Sequence, residues 1–275
     1  MGTSATTRAA AVAGLFYPGD AEILLHDIQA LLAAAVRTKS PADPPKALIV
    51  PHAGYIYSGP VAASAYARLQ PLRDIIQRVV LLGPAHRYAV RGLALPGTQA
   101  FETPLGRVPL DREAINSILI RPMRQVTTSA AAHALEHSLE VQLPFLQEVL
   151  GDFRIVPLAV GDTTPEAVAD VIEALWGGPE TLIVVSSDLS HYLPYQTAQH
   201  IDQQTCASIS RLQTLDSHEQ ACGATAVNGL LLAARHHHLR PQLLDLRNSG
   251  DTAGDHSRVV GYAAFAFSEE PAHAH

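Results

Sequence analysis

The stretch Lys46-Ala47-Leu48-Ile49-Val50-Pro51-His52-Ala53-Gly54-Tyr55-Ile56-Tyr57 decides how this chain is read. Ala47 to Val50 are apolar and end on a β-branched pair, the pattern of a strand buried on both faces of a parallel sheet. Pro51 has no N–H to give to a ladder, so it marks the end of that strand. His52 is thereby carried to an edge of the sheet, with the flexible Gly54 close behind it. Open α/β sheets bind ligands at the carboxyl ends of their strands, which makes a histidine placed there a candidate for chemistry. The alternative is a turn histidine satisfied by hydrogen bonds.

Two more apolar runs end in the same way. Arg78 to Leu82 leads into Gly83-Pro84-Ala85-His86, and Thr181 to Val185 leads into Ser186-Ser187-Asp188-Leu189-Ser190-His191. If the three strands are parallel, their carboxyl ends share one edge, and His52, His86 and His191 can converge although they are far apart in sequence.

With 275 residues, 47% hydrophobic and 16% charged, the chain can bury the core of one large α/β domain or two smaller ones. The formal charge of -7 comes without a basic cluster, so the electrostatic footprint of a nucleic-acid or anionic-membrane binder is missing. No apolar run is long enough to span a bilayer, and Met1 to Ala11 lack the apolar core of a signal peptide, so a cytoplasmic location is expected. Cys206 and Cys222 are too few for a disulfide framework and lack metal-type spacing to each other.

Helices are expected from Asp20, as N-cap, to about Val36; from Pro60 to Leu69; in a short segment capped by Asp111; and from Ala130 to Leu150 with a kink at Pro144. Further helices are expected after Thr164-Pro165, from Thr197 to Leu215 and from Ala224 to His238. Pro41 to Pro45 read as a linker. The segment from Arg91 to Leu110, broken by Pro96-Gly97 and Pro104-Leu105-Gly106, reads as a hairpin-like excursion. Strands are expected at 154–160, 181–185, 243–246 and 259–267.

Cys222 stands just ahead of an alanine-rich helix, where the positive end of the dipole favours a thiolate able to bind metal. Its other reading is a small buried residue before the Gly223 turn, and Cys206 in mid-helix reads as core. His133-Ala134-Leu135-Glu136-His137 matches the H-x-x-E-H pattern of inverted zinc metalloproteases, a reading that leaves the three strand-end histidines without a role. His236-His237-His238 close a helix and read as a solvated last turn. Asp188 lies one turn from His191 and can orient it for acid/base work, or simply cap the turn. A serine hydrolase would need a G-x-S-x-G elbow, which is absent.

Ala13-Gly14-Leu15-Phe16-Tyr17, Pro51-His52-Ala53-Gly54-Tyr55, Leu82-Gly83-Pro84-Ala85-His86, Glu136-His137-Ser138-Leu139-Glu140, Ser186-Ser187-Asp188 with His191, Cys222-Gly223 and Val260-Gly261-Tyr262 together resemble the Memo family, called AmmeMemoRadiSam system protein B in microbes. That family is similar in fold to the class III extradiol dioxygenases. The resemblance implies one α/β domain over residues 8–268, with a largely parallel or mixed central sheet flanked by helices and with 1–7 and 269–275 as flexible termini. It implies a metal set of His52, His86 and Cys222, with Asp188 and His191 beside it as catalytic residues and Tyr55, Glu136 and His137 lining or supporting the site. Iron(II) is the cofactor it implies, with copper as the alternative, because a thiolate stands where the dioxygenases have a glutamate. The activity expected from it is that of a non-haem iron oxidoreductase acting on a small, aromatic molecule. The competing expectation is a metal-binding partner protein without turnover, working with radical SAM and AMMECR-type proteins.

Overall fold

Lys46 to Val50 form a strand in which every residue is buried, as the apolar run requires. The structure is a computed structural model and describes residues 6–36, 43–120 and 125–269. The elements begin with β1 (Thr7–Arg8), α1 (Ala21–Val36), β2 (Pro45–Val50), α2 (Tyr55–Tyr66), β3 (Arg78–Pro84), β4 (Leu93–Leu95), β5 (Ala100–Thr103) and β6 (Gly106–Pro109). Next come α3 (Arg112–Ile120), β7 (Val126–Thr128), α4 (Ala130–Ala134), α5 (Leu143–Val149), β8 (Arg154–Val160), α6 (Pro165–Ala174) and β9 (Thr181–Ser186). The chain closes with β10 (His191–Leu193), α7 (Tyr195–Ser210), α8 (Ala224–His236), β11 (Arg240–Asn248) and β12 (Val259–Ser268).

The large sheet runs β10-β12-β2-β9-β3-β8-β4-β7, with β11 also paired to β12. Its centre, β2-β9-β3-β8, is parallel throughout, while β12 joins β2 and β4 joins β8 in antiparallel fashion. The fold is a single α/β domain with a mixed sheet flanked by helices. The central strands are buried on both faces, which is why they read as unbroken apolar runs rather than alternating ones. Helices α1, α2 and α5 pack on one another, α6 pairs with α8, and α8 rests on β3 and β9.

The excursion at 91–110 supplies β4 to the large sheet and the β5–β6 hairpin to a small one. Thr6 and Thr7, read as part of a flexible terminus, are held instead: the Thr6 carbonyl accepts from Gln99 N–H at 2.8 Å, and β1 pairs with β5. The open edge of a two-stranded hairpin accounts for that pairing. Residues 1–5 and 270–275 of the expected termini lie outside the described residues, as do 41 and 42 of the linker, whose last member, Pro45, begins β2.

Several helix ends differ from the sequence reading. Asp20 does cap α1, its Oδ1 accepting from the N–H groups of Glu22 and Ile23 at 3.0 Å each. α2 starts at Tyr55, five residues before Pro60, and the chain tightens into a 3-10 turn at Ala67–Leu72. α7 stops at Ser210 because Leu212 turns into the left-handed region, with φ 55°. The expected helix over 130–150 is two helices joined through a 3-10 turn, and Pro144 sits in the first turn of α5 without kinking anything. The break has a cause. The Glu136 carboxylate takes the N–H groups of His137 and Ser138 at 2.9 Å each, and the His133 carbonyl is claimed by Arg8 Nε at 2.9 Å, so the helical ladder loses its partners there.

Candidate metal centre

Because β2, β9 and β3 are parallel neighbours, their carboxyl ends leave the sheet at one edge. His52 follows β2, His86 follows β3, and the turn carrying Asp188 follows β9 between them. The break after α4 brings His137 to the same place. The ring centroids of His52 and His86 are 5.2 Å apart, those of His52 and His137 5.4 Å, and those of His86 and His137 4.8 Å. One ligand nitrogen from each of the three rings lies within 4.8 Å of the others. Tetrahedral bonds of about 2.0 to 2.1 Å to a common ion set ligand nitrogens about 3.4 Å apart, so the rings would draw together on binding.

Two of the three rings are held by a partner. The Ser186 hydroxyl donates to the Ser138 carbonyl at 2.7 Å, so its oxygen accepts from His52 Nδ1–H at 2.9 Å and leaves Nε2 unprotonated, with only the Cys222 sulfur in contact at 3.3 Å. The His52 backbone N–H donates to Asp188 Oδ1 at 2.7 Å, which ties the ends of β2 and β9 together. His86 is gripped by Glu136, which accepts its backbone N–H at 2.5 Å and its Nδ1–H at 3.0 Å, again freeing Nε2. A histidine whose second nitrogen donates to a carboxylate is a fixed and more basic ligand. Gly83, at the end of β3, admits this packing: a Cβ there would meet Ser138 Oγ at 2.8 Å.

The electrostatics agree with the geometry. Burial, reinforced by His86, lowers His52 to about 3, and burial with His52 nearby lowers His137 to about 4, so both rings are neutral near pH 7. Burial alone would raise Glu136, but the hydrogen bonds from His86 and the Ser138 N–H prevail and hold its carboxyl at about 2. Asp188 is raised by burial. Glu140 points away from the cluster and pairs with Arg8, and it accepts from Tyr17 Oη at 2.6 Å and from the N–H groups of Ala11 and Val12 at 2.8 and 3.0 Å. Arg8 also donates to the Glu136 carbonyl at 2.6 Å. Arg8 is thus a supporting residue that the sequence reading missed, and nothing local in its surroundings marks it.

Of the expected set, His52 and His86 come together with Cys222 beside them, its Sγ 3.3 Å from His52 Nε2 and accepting the Asp188 N–H at 3.3 Å, while the donor atoms that all lie within 4.8 Å of one another are those of His52, His86 and His137. Cys222 precedes α8, as expected, yet burial, with Asp188 beside it, pushes its thiol up to about 12 rather than down. Burial outweighs one helix end here. Cys206 is core, also pushed up to about 12.

His191 Nδ1–H donates to the Leu189 carbonyl at 2.8 Å, which fixes the tautomer and leaves Nε2 as a base. It faces an open cavity of about 1580 Å³ that also reaches His52, His86, His137, Asp188 and Cys222. Tyr55 does not line this cavity. Its hydroxyl donates to the Val141 carbonyl at 2.7 Å and its ring packs on Phe145, so it supports the segment behind the histidines. A more apolar groove of about 890 Å³, lined by Leu15, Leu31 and Ile56 among others, carries none of these histidines. The inverted-protease pattern fails because the helix ends before Glu136, and His133 Nε2 donates to the Ala94 carbonyl at 2.7 Å, away from the cluster. His236 and His237 are not simply solvated: they bond Glu173 at 3.1 and 2.8 Å, and His237 stacks on Trp176.

Comparison with families of known proteins matches residues 8–266 to the family described as Memo-like protein. The chain belongs to the Memo family. A MEMO1 family protein of Aquifex aeolicus is 38% identical, over 94% of this chain and 98% of its own. One from Ignicoccus hospitalis is 38% identical with the same coverage, and one from Sulfolobus acidocaldarius is 34% identical over 95% of this chain and 99% of its own. Among solved structures, an uncharacterized protein of Escherichia coli K12 is similar in fold, with a TM-score of 0.52 and 13% identity over 79% of this chain and 98% of that one.

Proposed function

We propose that this Memo-family chain binds one redox-active metal ion, iron(II) in the first instance, through His52, His86 and His137, and oxidises a small molecule held in the adjoining cavity. The observation that carries this reading is that three imidazoles, two with Nε2 freed by a fixed partner on Nδ1, meet within 4.8 Å at the floor of an open cavity. Neutral imidazole donors suit iron, copper, nickel and zinc. Bound iron(II) would supply electrons to dioxygen and polarise the substrate. The protein's own part is to keep the rings neutral, to hold His86 through Glu136 and to hold the His52 backbone through Asp188. His191, with Nε2 free and facing the cavity, takes or returns a proton of the substrate.

Anaerobic loading with iron(II), metal analysis and an oxygen-uptake screen on aromatic substrates test the reading. One iron per chain, lost in His52→Ala, and oxygen consumption with a substrate in the panel are the expected results. Failure to retain any stoichiometric metal would remove the proposal. One feature favours a second reading: Cys222 Sγ stands 3.3 Å from His52 Nε2, and a soft sulfur beside imidazoles suits copper(I). In that case the chain carries metal for a partner, and the radical SAM and AMMECR-type proteins implied by the sequence resemblance are the partners to try.

A further inference from the structure

Tyr262 is only 2% exposed, yet it lines the cavity of the histidine cluster and its hydroxyl makes no hydrogen bond among the described residues. The oxygen itself is not sealed from the cavity, so it stands on the cavity wall as a polar group open to whatever the cavity holds. The hydroxyl is a donor at neutral pH, since burial and then the nearby Asp188 raise it further above the usual tyrosine range. Val260 and Tyr262, two apart on β12, share a face, and both line this cavity together with Arg258 in the bend just before the strand. The face is graded. Tyr262 is buried, Val260 is partly covered and Arg258 is exposed at the mouth. Arg258 makes no ion pair or hydrogen bond through its side chain among the described residues. Its guanidinium lies over the Tyr192 ring, 5.0 Å from the centroid. Tyr192 in turn meets His191 edge-on at 5.7 Å and is held at φ 59°, a conformation that a bulky residue adopts only under constraint.

We propose that the cavity takes a small aromatic organic anion laid along this face, with its acidic group held by Arg258 at the mouth and a polar oxygen at its inner end receiving the Tyr262 hydroxyl. The spacing suits such a molecule. Arg258 stands in the bend just before β12 and Tyr262 lies four residues on within it, so a charged and a neutral polar group sit apart along one cavity wall with the apolar Val260 between them. Phe16 and Tyr57 add aromatic walls, while Oδ1 of the Asp255 carboxylate, also at the cavity, takes the Ser257 N–H and hydroxyl at 2.7 and 2.6 Å. The proposal rests on reading this cavity as the substrate site, but it does not need the metal to be present.

Calorimetric titration of the metal-free protein with para-hydroxyphenylacetate, phenylacetate and para-hydroxyphenylacetamide separates the two contacts. The wild type should bind the hydroxylated acid about tenfold more tightly than either control. Tyr262→Phe keeps the buried ring and should erase the preference for the hydroxyl while keeping the preference for the acid over the amide. Arg258→Gln should do the reverse. Both variants should bind iron(II) or cobalt(II) as the wild type does, so failure of the metal reading and failure of this one register in different measurements. No binding of the acid at millimolar concentration, or preferences that survive unchanged in both variants, would overturn the inference.

Discussion

Glu136 holds His86 at two points, accepting its backbone N–H at 2.5 Å and its ring Nδ1–H at 3.0 Å, while the same carboxylate receives the N–H groups of His137 and Ser138. One side chain therefore orients one candidate ligand and positions the next. Glu136→Gln offers a single acceptor oxygen in place of two, so metal affinity should fall by about ten- to a hundredfold. Cobalt(II) titration followed by absorbance reads it directly. Unchanged affinity would mean that His86 needs no orienting partner.

His137 and His191 should separate on mutation. His137→Ala is expected to lose metal as completely as His52→Ala, because its ring is one of the three that converge. His191→Ala should keep the metal and lose turnover by roughly a hundred- to ten-thousandfold, the usual worth of a general acid or base. Anaerobic calorimetry with iron(II) on each variant distinguishes them. If His137→Ala kept full affinity while Cys222→Ser lost it, the third donor would be the sulfur.

Cys222 should be a sluggish thiol in the metal-free protein, since burial pushes it up to about 12. Alkylation by iodoacetamide, mapped by mass spectrometry, should be slow at both cysteines near pH 8 and should accelerate at Cys222 only on local opening or at strongly alkaline pH. Rapid modification of Cys222 at neutral pH would show instead that the Gly223–α8 start stabilises a thiolate.

Stability of the metal-free protein should fall in mild acid. His52 is lowered to about 3 and His133 and His137 to about 4, each by burial, whereas the unfolded chain binds these protons near 6.5. Folding then keeps the rings neutral: the full stability is present above pH 6.5 and is lost as pH falls from there toward 4. Each such ring adds about 1.4 kcal/mol per pH unit to the slope. Urea midpoints between pH 7 and 5 measure it. A flat profile would show that the rings protonate in the folded state.

The convergence of His52 and His86 was legible in the chain because it follows from strand chemistry alone. Apolar runs buried on both faces pair in parallel, and a proline or glycine after each run ends it at the edge where the histidine stands. Asp20 as a cap and the 91–110 excursion follow from equally local signals. Arg8 did not announce itself, and His137 and Tyr262 stood out only through the motifs shared with the Memo family, since nothing within a few residues of them carries the physical reason for their place. The periodicity of 130–150 favours one helix. It breaks only because the Glu136 carboxylate finds His86 from another strand end and turns back on its own following N–H groups, while Arg8, 125 residues away, takes the His133 carbonyl. Likewise a cysteine before a helix reads as a thiolate until the fold surrounds it. Local propensity determined where strands end and which side chains they deliver. Which of those side chains meet, and in what state of charge, was decided by burial and by hydrogen bonds between distant segments, which exist only once the chain has closed around them.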